Sequence, residues 1–120
     1  IFESITGDLK NTITLSITID GDSIYVGTDG SGIYVKKAVD KSWKEVNKGL
    51  SNKRVLSLYN DAKGNIYAGT YDGLFFMNHG SSEWKDMSEG IVNRIIQTIS
   101  TDRDGNLLVG TWGGGILKAE

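Results

Sequence analysis

The residues of this chain that could do acid–base chemistry recur instead of clustering. Asp20, Asp61 and Asp102 stand 41 residues apart, each at the end of a β-branched, apolar run. A glycosidase needs two carboxylates converging across a pocket, roughly 5–10 Å apart, whereas aspartates in step with a repeat are spread over successive structural units. An Asp at a strand end accepts hydrogen bonds from the backbone of the turn that follows, and turn capping is the role this pattern assigns. The single histidine, His79, falls in a predicted turn, without the partners that a metal site or a triad requires. Cysteine is absent, which excludes thiol catalysis and Cys-ligated metals. Gly113-Gly114-Gly115 precedes a strand and not a helix, so no helix N-terminus is there to hold an anion. The sequence therefore predicts no catalytic residue, no metal ligand and no cofactor, and a protein that is not an enzyme.

The spacing that disperses the aspartates is itself the main structural signal. Gly27-Thr28, Gly69-Thr70 and Gly110-Thr111 recur at intervals of 42 and 41, each behind a short apolar run. Leu9, Leu50 and Ile91 keep the same step, as do Asn11, Asn52 and Asn93, and Phe2, Trp43 and Trp84. Where the register slips by one residue it slips in turns, as a structural repeat requires. Each period holds four strand-sized runs: Thr14–Ile19, Val55–Tyr59 or Ile96–Ser100; then the run ending in Gly-Thr; then Ile33–Lys36, Leu74–Met77 or Ile116–Ala119; then Trp43–Val46 or Trp84–Met87. Apolar positions alternate or run continuously and never follow helical spacing. Four antiparallel strands in about 41 residues, repeated in tandem, are the arithmetic of a β-propeller blade. The recurrent glycine inside the second strand predicts close approach of a neighbour at the blade interface.

The expected class is all-β, with about three four-stranded antiparallel blades. Residues 10–50 form one, 51–91 a second, and 92–120 the first three strands of a third, whose fourth-strand pattern appears in residues 1–9, where Phe2 and Ile5 match Trp43 and Val46. Propellers typically close with four to eight blades. Two ways to complete the ring stay open: a homodimer in which Ile1–Thr6 of each copy completes the other's last blade, giving six blades, or further blades from a longer chain.

Composition restricts the partners. Thirteen Lys+Arg against fifteen Asp+Glu give a net charge of −2, so no global field draws in nucleic acid or an anionic membrane. No apolar run reaches the roughly 18 residues needed to span a bilayer, and no signal-peptide pattern opens the sequence. Sixteen glycines with no proline suit many tight turns between paired strands.

The segment Asp102-Arg103-Asp104-Gly105-Asn106-Leu107-Leu108-Val109-Gly110-Thr111 resembles the two-component regulator propeller repeat, in which an Asp-x-x-Gly-Asn turn, an apolar strand and Gly-Thr lead into a glycine-rich turn. Asn52–Gly73 matches almost as well, and Asn11–Gly32 matches with a shortened turn. The family pattern usually carries Trp where this chain has Tyr25, Tyr67 and Leu108. The resemblance implies an extracytoplasmic, periplasmic or extracellular, sensor of bacterial origin that binds a ligand without catalysis. A weaker likeness, over Phe75–Trp84, is to the Asp-box turn of sialidase-like repeats, with Met77 and His79 where Ser and Asp are expected.

Up-and-down connectivity places the second-to-third and fourth-to-first turns at one end of the propeller. The former offer Asp29, Tyr71, Asp72 and Trp112, and the latter Asn52, Arg54, Asn93 and Arg94. Exposed Tyr and Trp beside Arg and Asn is the mixture of a ligand or partner surface, here for a small molecule or carbohydrate. The rival readings are a fragment of a sialidase-like or glycoside-hydrolase propeller, marked by convergent carboxylates, and an interaction scaffold or isolated propeller fragment, marked by a featureless mouth.

Overall fold

The computed structural model describes residues 1–9 and 12–119, so Asn11, the first of the matched asparagines, lies outside the described residues. β1 (Thr14–Asp20), β2 (Ser23–Thr28), β3 (Ile33–Lys37) and β4 (Lys44–Glu45) form one antiparallel sheet in chain order. β5 (Val55–Asn60), β6 (Ile66–Thr70), β7 (Gly73–Met77) and β8 (Lys85–Asp86) form a second of the same order. β9 (Ile96–Thr101), β10 (Leu107–Thr111) and β11 (Ile116–Lys118) form a three-stranded third. No helix occurs among the described residues. The registers repeat with the sequence: Tyr34 faces Glu45 as Phe75 faces Asp86, and Val35 faces Lys44 as Phe76 faces Lys85.

The core lies between the sheets, which is why the middle strands are apolar on both faces. One cluster joins Ile33 and Leu50 of the first blade to Val55, Ile66, Ala68, Phe75, Met77 and Trp84 of the second. Another sets Leu74 of the second blade against Ile96, Ile99, Leu107 and Val109 of the third. The strand glycines are explained by this packing. A β-carbon on Gly27 would lie 2.7 Å from Val55 Cγ1, and one on Gly69 would lie 2.6 Å from Ile96 Cγ2, so the neighbouring blade's first strand leaves room only for hydrogen.

Two expectations change. The fourth strands are shorter than the aromatic runs that mark them, because Trp84 turns both main chain and indole to the preceding blade: its N–H donates to Lys48 O at 2.9 Å and its Nε1–H to Val46 O at 2.8 Å. Ile1–Thr6 belongs to no strand within the chain. A strand exists only through its ladder partner, and here Phe2 is fully exposed, at 104 %. Only the turn that follows is anchored, with Thr6 O accepting from Leu9 N at 2.9 Å and from Trp43 Nε1 at 3.0 Å.

Candidate functional site

The turn that joins second to third strand is built the same way in every blade. Its preceding threonine is buried or half-buried, and its hydroxyl donates across the turn: Thr28 Oγ1 to Gly32 O at 2.8 Å, Thr70 Oγ1 to Gly73 O at 2.9 Å, Thr111 Oγ1 to Gly115 O at 3.0 Å. The closing glycine has a positive φ, 117° at Gly73, which bars a side chain there. The residue after the threonine is Asp29, Tyr71 or Trp112, and the main chain of each is anchored in the same way. Their N–H groups donate to Ile13 O at 2.9 Å, Arg54 O at 3.1 Å and Ile95 O at 3.0 Å. Gly30 and Gly32 N–H both reach Lys53 O at 3.0 Å, and Gly73 N–H reaches Arg94 O at 2.8 Å, so these turns and the fourth-to-first turns meet at one end as the connectivity predicts.

At this end Asp29, Arg54 and Tyr71 come together across the boundary between the first two blades. Arg54 Nε donates to Asp29 Oδ1 at 2.8 Å, and its guanidinium carbon stands 3.7 Å from the centroid of the Tyr71 ring. The hydrogen bond that Arg54 donates to Asp29 raises its already high pKa, so the group stays cationic. Its remaining guanidinium donors point to an exposed surface and suit a carboxylate, sulfate or polar ring substituent.

Repeat symmetry would place a like trio at the next boundary, but there the residues are Tyr71, Ile95 and Trp112. Trp112 is 59 % exposed. Asn93 Nδ2 donates to Trp112 O at 2.7 Å, and Asn93 Oδ1 accepts from Ile95 N at 3.4 Å; Asn52 Oδ1 likewise accepts from Arg54 N at 3.1 Å. Both asparagines thus shape the turns, and Asn93 also steadies the tryptophan. Arg94 folds back on its own turn, Nε to Ile91 O at 3.3 Å, while exposed Asp72 donates its N–H to Thr70 Oγ1 at 3.0 Å. Of the eight residues singled out in the sequence, Asp29, Arg54 and Tyr71 form one cluster and Asn93 with Trp112 a second.

The recurrent aspartates sit in the first-to-second turns. Asp61 Oδ1 accepts from Lys63 N at 2.8 Å and Asn65 N at 3.0 Å, and its Oδ2 from Asn65 Nδ2 at 3.1 Å. Asp102 repeats this with Asp104 N and Asn106 N, both at 2.9 Å, and Asn106 Nδ2 at 3.0 Å. The Asn106 side chain above all holds Asp102 below the usual carboxylate range. For Asp61, burial pushes upward but the hydrogen bonds from Asn65 and Lys63 outweigh it. The turn after Asp20 is one residue shorter, and its Oδ2 instead stands 3.6 Å from His79 Nδ1. No group of three or more metal-ligating side chains occurs among the described residues.

A cavity of about 230 Å³ that no sequence pattern announced lies between the second and third blades, lined by Leu74, Met87, Ile91, Leu107, Val109 and Leu117 among others. Comparing the surroundings of Trp84 one repeat further on would have found it.

Four-stranded antiparallel sheets in tandem, packed face to face through their inner strands, are the blades of a β-propeller. Residues 49–72 and 90–113 match the family of the two component regulator propeller. Among solved structures, the fold is similar to the extracellular domain of the one component system BT4673 from B. thetaiotaomicron, with a TM-score of 0.72 and 18 % identity over 90 % of this chain and 17 % of that one. A second, described as the extracellular domain of the hybrid two component system BT4673 from the same organism, gives 0.71 and 25 % over 89 % of this chain and 15 % of that one. The chain therefore spans about a sixth of the length of these relatives. No curated protein matches it. No helix among the described residues is long and apolar enough to cross a membrane.

Proposed function

We propose that the chain is a non-enzymatic sensing module of an extracytoplasmic β-propeller, which binds its ligand at the end that presents Asp29, Arg54, Tyr71 and Trp112, in a ring assembled head to tail. The observation that carries this reading is the Arg54 guanidinium stacked on Tyr71 and oriented by Asp29, with the exposed Trp112 in the equivalent turn of the next blade. A flat cation and two aromatic faces recognise a sugar ring bearing an anionic or hydroxyl substituent, by stacking and paired donors. The match to sensor propellers and the extracellular origin of the similar domains support the sensing role and the compartment. Against a glycosidase stand Asp61 and Asp102, whose carboxylate oxygens are engaged by their own turns at the opposite end of the strands.

The test is a titration of the full chain with neutral and uronate-containing hexasaccharides, followed by amide chemical shifts and tryptophan fluorescence. The reading expects saturable shifts at the turns around residues 29, 54, 71 and 112, lost in Arg54→Ala. Shifts confined to other surfaces, or none with any saccharide, overturn it.

A further inference from the structure

In the second blade Phe76 stands against Tyr67, with ring centroids 5.3 Å apart and planes tilted by 38°. The two face each other across β6 and β7, and Lys85 of β8 lies beside Phe76 on the same face. The first blade repeats this register with one ring removed: Tyr25 faces Val35, and Val35 faces Lys44. An isopropyl group takes the place of a benzyl group, and a recess of about 230 Å³ lies there, lined by Ser23, Tyr25, Val35, Lys37, Ser42 and Lys44 among others. Strand alternation puts Ser23, Tyr25, Val35, Lys37 and Lys44 on one face with Gly27, which meets Val55. The recess therefore belongs to a four-stranded blade, on the side turned toward the second blade.

Its charge also differs from that of its counterpart. Three lysines and Asp40 line it, where the second blade has Met77, Asn78, Lys85 and Ser81, with Glu83 in the place of Ser42. Lys36 is engaged elsewhere, since its Nζ donates to Asp40 O at 3.0 Å and lies 5.6 Å from the Trp43 ring centroid. Lys37 Nζ stands 3.9 Å from Asp22 Oδ1 with both side chains exposed, a contact that a competing anion can replace. Lys44 has no ion pair among the described residues. The Tyr25 phenol, whose pKa is raised by burial and by Asp20, stays protonated and able to donate.

Space for a ring beside a tyrosine, with ammonium groups around it, defines the chemistry of an occupant. We propose that this recess is a second binding site, for a small aryl carboxylate whose ring lies against Tyr25 as Phe76 lies against Tyr67 and whose carboxylate meets Lys44 and Lys37. Tilted or offset aromatic contact orders the ring, and charge-assisted hydrogen bonds from the ammonium groups hold the anion. The volume falls below the roughly 300–1,000 Å³ of drug-sized pockets, which limits the ligand to a single ring. The site is independent of the saccharide reading, because it lies at the opposite end of β2 from Asp29.

The test titrates the full chain with benzoate, benzyl alcohol and acetate, followed by amide chemical shifts. Benzoate is expected to give saturable shifts around residues 23–25, 35–37 and 42–44, with the millimolar dissociation constant suited to so few atoms. Benzyl alcohol keeps the ring and acetate the charge, and each is expected to bind about tenfold more weakly. Val35→Phe rebuilds the arrangement of the second blade, so it should fold with an unfolding midpoint no lower than the parent's and lose the benzoate shifts. Lys44→Met should weaken benzoate about tenfold and leave benzyl alcohol unchanged. No saturable benzoate shifts at these positions, acetate binding as tightly as benzoate, or benzoate binding undiminished in Val35→Phe each overturns the proposal. Should Val35→Phe fail to fold, the contrast between benzoate and benzyl alcohol in Lys44→Met decides. Benzoate bound here by a chain that binds no saccharide counts against the reading of the other end alone.

Discussion

Gly69 and Ile96 stand so close across the boundary of the second and third blades that a β-carbon on the glycine would lie 2.6 Å from Ile96 Cγ2 and 2.8 Å from its carbonyl oxygen. The backbone oxygen cannot yield as a side chain can. Gly69→Ala is therefore expected to lower stability by about 1–3 kcal/mol through overpacking. Gly110→Ala, which meets only Thr98 Cγ2 within the chain, costs less in any folded monomer. Urea unfolding of the two variants under monomeric conditions checks the order.

The threonine staple gives a second expectation. Thr70 is fully buried, its hydroxyl donates to Gly73 O at 2.9 Å and accepts from Asp72 N at 3.0 Å, and Val has nearly its shape. Thr70→Val deprives a buried carbonyl and an amide of their partner, a loss of about 1–3 kcal/mol, read as a lower urea midpoint at an unchanged slope.

Acid should weaken the fold through its turn carboxylates. Hydrogen bonds hold Asp61, Asp86 and Asp102 below the ordinary carboxylate value, so the folded chain binds these protons less readily than the unfolded one. Their contribution is complete above the unfolded pKa of about 4 and declines as pH falls through the lower folded values. The urea midpoint at pH 3 is expected below that at pH 6, and Asp61→Asn with Asp102→Asn should flatten the difference while keeping an acceptor oxygen in each turn.

Arg54→Ala separates binding from folding. The side chain is exposed and its ion pair with Asp29 lies at the surface, so the melting temperature should be almost unchanged. Calorimetric titration with the saccharide that binds the parent chain is expected to show at least a tenfold loss of affinity.

The blades were legible because every constraint on them repeats. Gly27, Gly69 and Gly110 announce an interface, the Asp-led turns announce strand ends, and the two clusters lie where the apolar runs put them. The site was legible only as a list of turns. That Asp29, Arg54 and Tyr71 meet depends on the angle between neighbouring blades, which no periodicity encodes, and that Asn52 and Asn93 shape the turns depends on the direction of single side chains.

Asp29, Tyr71 and Trp112 share one slot, and in each blade the same backbone N–H bond seats whichever residue stands there. An acid, a phenol and an indole already occupy it on a common frame, so its occupant is a free variable as far as folding is concerned. Specificity at this end can therefore be rewritten one turn at a time by drift or by library selection, with the scaffold acting as a neutral chassis beneath a changeable alphabet.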